Sequence, residues 1–367
     1  MRRLVGAFDS GNLSQLSFSK QAITPASNAP NQANPRFGFE LTIRSARKAV
    51  GNNSTANGQL MIAIAKFVFR ILVLTFLYLV LFVTFSAILI PRPAQTGGAE
   101  AHVFLALLTV SLLNSLVLAY VILRSGFTGW WLMLNVFLVF FGVATFLPQI
   151  ETAVFVRNLP PGLLAGIVYS GLLLALIFSC LAVVVLGKRA PNQNPEVRHV
   201  SLSRNQWLMR LTLLAVCYVI IYFTFGYFVA WRNPAVRAFY QGTDPGTLFA
   251  QIRSVVRDTP WLPALQFVRG LIWTLLALPL MRMIKGSWWE VGLAVALCFC
   301  VLPSSQLLIP NPIMPTEVRA AHLWETASSN FVFGWIVVVV LLRWRNSRPF
   351  QTKREPVRTN ERANPGW

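Results

Sequence analysis

Arg269 stands inside an apolar stretch, Thr259 to Met281, that holds no other charged residue. If this stretch enters a membrane near Pro260, the guanidinium lies about 9 residues, or roughly 13 Å, below the boundary at 1.5 Å per residue. An ionisable group at that depth is costly in hydrocarbon, so it demands a buried partner or a functional cavity. The sequence offers Asn114, Gln149, Glu151 and Gln306 as partners, and the chemistry suits a small anionic substrate or a lipid headgroup. Ser304 and Ser305 stand beside Gln306 and join these residues as candidate substrate contacts.

A second set of residues could bind a metal or share a proton. Helical spacing stacks Val318, His322 and Glu325 on one face, with Ser329 one turn further on. His at i, i+3 from a carboxylate is a weak metal or acid–base signal. His322, Glu325, Glu317 and His102 are the candidate ligands, with Glu100 and Glu151 at similar depth. No HExxH pattern fixes a third ligand, and the bland reading is packing, capping and topology. The four cysteines, at 180, 217, 298 and 300, all fall in apolar runs and form neither a disulfide framework nor a ligand set. No Walker A motif, Gly-rich dinucleotide turn, Gly-x-Ser-x-Gly or haem-attachment motif occurs, so no cofactor is implied.

The elements that carry these residues follow from composition. The chain has 367 residues, 55% hydrophobic and only 12% charged, with a mean hydropathy of +0.57. Soluble chains carry about twice that charged fraction. Crossing a hydrocarbon core of roughly 30 Å takes about 20 apolar residues, and eight stretches qualify. They are Ile71–Pro91, Ala101–Leu123, Ser125–Ile150, Asn158–Gly187, Leu211–Trp231, Thr259–Met281, Val291–Thr316 and Thr326–Leu342. The last has only 17 residues, so its helix is expected to start earlier, near Thr316. The expected fold is an all-α polytopic membrane bundle.

The net charge of +20 then reads as topology rather than as a nucleic-acid footprint. With both termini in the cytoplasm, 24 of the 32 basic residues lie on that side and the 12 acids divide evenly, giving about +18 inside and +2 outside. Such a surface suits contact with anionic headgroups, and the plasma membrane is the expected location.

The sequence also carries a weak internal repeat. Arg70, Leu74, Tyr78, Thr84, Phe85 and Arg92 recur at an offset of 140 as Arg210, Leu214, Tyr218, Thr224, Phe225 and Arg232. Arg124 with Trp130 and Trp131 recurs at an offset of 158 as Arg282 with Trp288 and Trp289. Four spans per unit make the two repeats parallel. The third and seventh spans end alike, as Leu147-Pro148-Gln149-Ile150-Glu151 and Leu302-Pro303-Ser304-Ser305-Gln306, so each is expected to break at its proline and expose carbonyls near the outer face.

The expected organisation is an unstructured arm over 1–60, with Phe37 to Val50 able to form a short basic helix and Met61 an alternative start. Four-helix repeats over 61–190 and 191–345 follow, then a basic tail over 346–367. Gly162-x-x-x-Gly166 allows close helix approach, inside the bundle or in a homo-oligomer. Asp244-Pro245 is expected to cap an amphipathic helix through Leu248, Ile252 and Val255, lying on the outer surface as a prop or a lid. Three functions stay open: a transporter or permease with an outer-facing polar cavity, a membrane-embedded metal-dependent enzyme, and a non-catalytic partner subunit. The first requires Arg269 and the Leu-Pro segments to line one cavity. The second requires His322 within reach of two carboxylates.

Overall fold

The computed structural model describes residues 35–91, 100–156, 159–190, 198, 202–310 and 314–344, with side chains from residue 58 on, save 100 and 101. Eight helices are long and apolar enough to cross a membrane: Gly58–Leu89, His102–Arg124, Gly129–Phe155, Leu163–Val185, Arg204–Trp231, Leu262–Met283, Trp288–Leu308 and Thr316–Arg343. Helices satisfy their backbone polar groups internally, which a bilayer interior requires. Between the fifth and sixth spans lie a short helix, Pro234–Phe239, and a surface helix, Leu248–Asp258. No strand forms among the described residues, only an isolated antiparallel bridge between Ser125 and Ile284. Exposed Leu72, Phe76, Phe104, Leu105, Leu208 and Ile220 belong to an apolar outer surface, as a lipid-facing bundle demands.

The first span packs on the second and fourth, and the third on the fourth; the fifth packs on the sixth and eighth, and the seventh on the eighth. The two groups meet where the second span touches the seventh and the third touches the sixth. Every one of these contacts keeps a counterpart when spans one to four are exchanged with spans five to eight. Two aromatic clusters follow the same exchange. Tyr78 meets Phe178 edge-on at 5.2 Å and Phe140 at 5.9 Å, while Tyr218 meets Phe333 edge-on at 5.0 Å, with Phe299 stacked on Phe333. Aromatic pairs in such geometries add about 0.5–1.5 kcal/mol beyond their buried area.

The turns after the second and sixth spans pair with each other. Gly126 N donates to Met283 O at 2.6 Å and Lys285 N to Arg124 O at 3.0 Å. Arg124 also meets Glu290 at 2.5 Å, and the same carboxylate closes a capping box with Ser287 at the start of the seventh span. Lys188 Nζ donates to Ser125 O. Burial, and then the neighbouring Lys285, pull this ammonium below its ordinary value.

Several expectations change. The first helix runs from Pro35 to Leu89 without a break, so residues 35–60 are helical where an unstructured arm is expected. Extending an existing helix adds one hydrogen bond per residue with no new nucleation cost. Residues 1–34 and 345–367, which carry most of the expected arm and the tail, lie outside the described residues. The prolines do not end their helices: the third span passes Pro148 and continues to Phe155 after a π-helical turn at Gly142–Phe146, and the seventh passes Pro303 into a 3₁₀ turn at Ser305–Leu308. The surface helix is capped by Thr247, whose hydroxyl accepts from Ala250 N at 3.1 Å. Asp244 instead accepts from Gly246 N, because Gly246 at φ +73° takes the chain through a left-handed turn before any helix can start. Gly162 likewise sits before its helix at φ +79°. Gly166 faces the first span so closely that a Cβ would stand 2.3 Å from Leu89 O, so its small face is used inside the bundle. The eighth helix begins at Thr316 as expected.

Candidate functional site

Arg269 lies two turns into the sixth span, and its side chain is only 4% exposed. Its Nη1 donates to Glu151 Oε1 across the seam and to Gln266 Oε1 at 2.7 Å. The guanidinium carbon stands 5.8 Å from the centre of the Tyr218 ring, a cation–π distance. The Glu151 side chain is 38% exposed, so the pair has one buried end and one open end. Of the partners the sequence offered, Glu151 is the one in contact. Gln266 was not singled out, although its i−3 position puts it on the face of Arg269.

Two donors here have no acceptor among the described residues: Arg269 Nε and Gln266 Nε2, both buried. Gln149 Oε1 is a buried acceptor without a donor. Buried polar atoms in native structures are almost always satisfied, so such groups mark a place for water, an ion or a ligand.

The remaining polar candidates are tied into the seam. Pro148 has no N–H to give to Ala144 O four residues earlier; Gln306 Nε2 supplies that bond instead, at 2.9 Å. Asn114 Nδ2 donates to Val110 O and to Ser305 Oγ, both at 2.8 Å. Ser304 Oγ turns back to Cys300 O. These bonds lock the second, third and seventh spans together two turns below Glu151 on the third. Arg269 thus joins the third span's proline segment through Glu151, while the two proline segments join each other two turns below. A hollow of about 480 Å³ lies away from Arg269, between the fifth and sixth spans, lined by apolar side chains such as Val216, Ile220 and Phe267.

The second set gathers on the eighth span. His322 Nδ1 lies 2.7 Å from Glu325 Oε2, and His322 Nε2 lies 3.2 Å from the Tyr240 hydroxyl. Glu325 approaches the π-helical turn Gly226–Trp231 of the fifth span; a Cβ on Gly226 would stand 3.3 Å from its Oε1. Both Glu325 and Glu151 lie near Tyr218 and Tyr222 of the fifth span, so the two sets share one layer toward one end of the bundle. Burial, then Glu325 and Glu151, hold the Tyr240 phenol above its ordinary value, so it stays protonated. Tyr240 follows the short helix Pro234–Phe239, and nothing in its local sequence points to His322.

His102 and Glu317 are exposed at the starts of their helices, and the Glu100 side chain lies outside the described residues. Among the described residues no three of His, Cys, Asp and Glu are grouped to hold a metal; His322 bonds one carboxylate, not two. The spacing that suggested a ligand set instead yields a hydrogen-bonded pair: Glu317, five residues before His322 on the same helix, falls on another face, and Glu151 bonds Arg269.

Fold and polar layer define the class: a polytopic helical membrane protein with ionisable groups inside its bundle. Comparisons with family models, with curated proteins and with solved structures find no match, so the chemistry of the site rests on its own geometry.

Proposed function

We propose that the protein is a permease-like transporter built of two parallel four-helix repeats, with an outer-facing site around Arg269 for the anionic group of a small substrate. Both termini lie in the cytoplasm, and the membrane is the plasma membrane. The observation that carries this reading is the pair of buried donors without acceptors, Arg269 Nε and Gln266 Nε2. Leaving such groups unpaired costs about 1–3 kcal/mol each, which an oxyanion seated on the free edge of the guanidinium recovers. The Arg–carboxylate fork favours planar two-oxygen groups. Glu151 is the built-in competitor: it neutralises the guanidinium when the site is empty, and its partial exposure lets it move aside.

The test is thermal unfolding of the purified protein in lipid nanodiscs with inorganic phosphate, sulfate, acetate and glutamate at matched ionic strength. At least one anion raises the midpoint in proportion to the logarithm of its concentration. That rise disappears in Arg269→Gln and shrinks in Gln266→Leu. The stabilising anion is then taken up by proteoliposomes holding the native chain. If no anion separates the native protein from both variants, the anion site is refuted and a non-catalytic membrane subunit becomes the better reading.

A further inference from the structure

Tyr240, His322 and Glu325 form a bonded row from the outer loop into the bundle, and its chemistry suits a single mobile proton. With Glu325 as the carboxylate, His322 Nδ1 carries a hydrogen and donates to it at 2.7 Å. The other ring nitrogen faces a hydroxyl, at 3.2 Å. A phenol both donates and accepts. When the imidazole is neutral, Tyr240 donates to Nε2; when it is protonated, Nε2 donates to the Tyr240 oxygen. The site therefore keeps both hydrogen bonds in either protonation state. A lysine or a backbone carbonyl in place of Tyr240 would fit only one of them.

The groups around His322 come from every side of its helix. The third span brings Glu151, which acts on His322 itself; Tyr218 and Tyr222 of the fifth span and Arg269 of the sixth share the layer of Glu151 and Glu325. The short helix brings Arg237, which is held by Trp231 O and Arg232 O and faces Asp244. On its own helix, Glu317 is exposed, and Arg319 is buried with its donors on Leu307 O and Met314 O. The seventh span offers Gln306, which is neutral and already bonded to Ala144 O. Arg269 is thus the cation whose neutralisation changes, because Glu151 and any bound anion both act on it.

We propose that Tyr240, His322 and Glu325 are a proton-binding site that loads together with an anion at Arg269, making the proton the coupling ion; the coupling rests on the transport reading above, whereas the proton site does not. An anion at Arg269 removes positive field from the layer and frees Glu151, and both effects favour imidazolium at His322. By linkage, a proton at His322 favours the anion by the same factor.

The chain has only three histidines, at 102, 199 and 322, so nitrogen NMR of the histidine-labelled full chain in nanodiscs reads this site directly. The signal lost in His322→Gln is expected to pass from the Nδ1–H tautomer to imidazolium as pH falls from 9 to 5. Glu325→Gln lowers the imidazolium fraction at each pH, by about tenfold in the protonation constant if one pair interaction is lost. Tyr240→Phe, which keeps the ring but removes the hydroxyl, shifts the Nε2 resonance. Adding inorganic phosphate, or whichever probe anion stabilises the protein, raises the imidazolium fraction in the native chain and leaves Arg269→Gln unchanged. A His322 signal fixed in one state across that range overturns the proton site. A titration that ignores an anion already seen to bind overturns the coupling. Titration without any anion binding refutes the coupling through the Arg269 site and leaves the proton site standing.

Discussion

Arg210 and Arg269 are both buried, at 3% exposure each, and their partners differ in kind. Arg210 donates to Val340 O at 2.9 Å, to Leu341 O at 3.1 Å and to Trp344 O. It closes the last turn of the eighth span, where helical carbonyls lack intrahelical donors and the dipole favours a cation. Arg269 meets a carboxylate from another span, and although each guanidinium keeps a buried Nε without a partner among the described residues, only that of Arg269 has a second unpaired donor, Gln266 Nε2, on its own helix face. The first arrangement fixes a helix end; the second, with a partly exposed carboxylate as its partner, is the one on which the proposed anion site rests. Arg210→Met is expected to lower stability by about 2–3 kcal/mol, the scale of charge-assisted bonds plus orphaned carbonyls, read as a lower unfolding midpoint in detergent. The depth of Arg269 was legible because a charge inside an apolar run stands out. Its choice of Glu151 over Asn114 or Gln306 was not, because four polar groups at similar depth differ only in which way their helices face.

At the scale of an element, the third span shows how a proline is absorbed. Pro148 cannot bond Ala144 O, the helix widens into a π turn just before it, and Gln306 from the seventh span supplies the missing donor. Gln306→Leu leaves that carbonyl buried and unpaired, with an expected loss of about 1–3 kcal/mol; Gln306→Glu, protonated in its apolar surroundings, retains part of it. Unfolding midpoints of the two variants in the same detergent check the order. The sequence carried the proline and the glutamine as separate signals and suggested a break. Packing joined them, since the donor lies 162 residues away. The eighth helix was more legible: its apolar core is too short to span, which called for an earlier start or a thinner membrane, and the prolines at 310, 312 and 315 put that start near Thr316.

For the whole molecule, the distribution of charge predicts that both termini face the cytoplasm. Maleimide labelling of intact cells is expected to reach Asp244→Cys on a background without native cysteines, and to reach Lys353→Cys only after permeabilisation. Labelling in the opposite pattern would reverse the orientation. The exchange symmetry of helix contacts, the paired turns at Ser125 and Ile284, and the two Tyr-centred clusters support the proposed repeat at positions the sequence offsets had linked, Tyr78 with Tyr218 above all. Under that proposal the halves differ at the proposed site: Arg269, His322 and Glu325 all belong to the second, and Glu151 to the first.

The sequence by itself determined the eight spans, the charge asymmetry and the place of Arg269 inside an apolar run, because partition between water and hydrocarbon acts on each stretch of about 20 residues independently. Only the tertiary structure decided which polar groups meet. A hydrogen bond needs its atoms within about 3 Å, and helix rotation within the bundle sets that distance. Rotation brought Glu151 to Arg269, and the path of the chain after the short helix brought Tyr240 to His322.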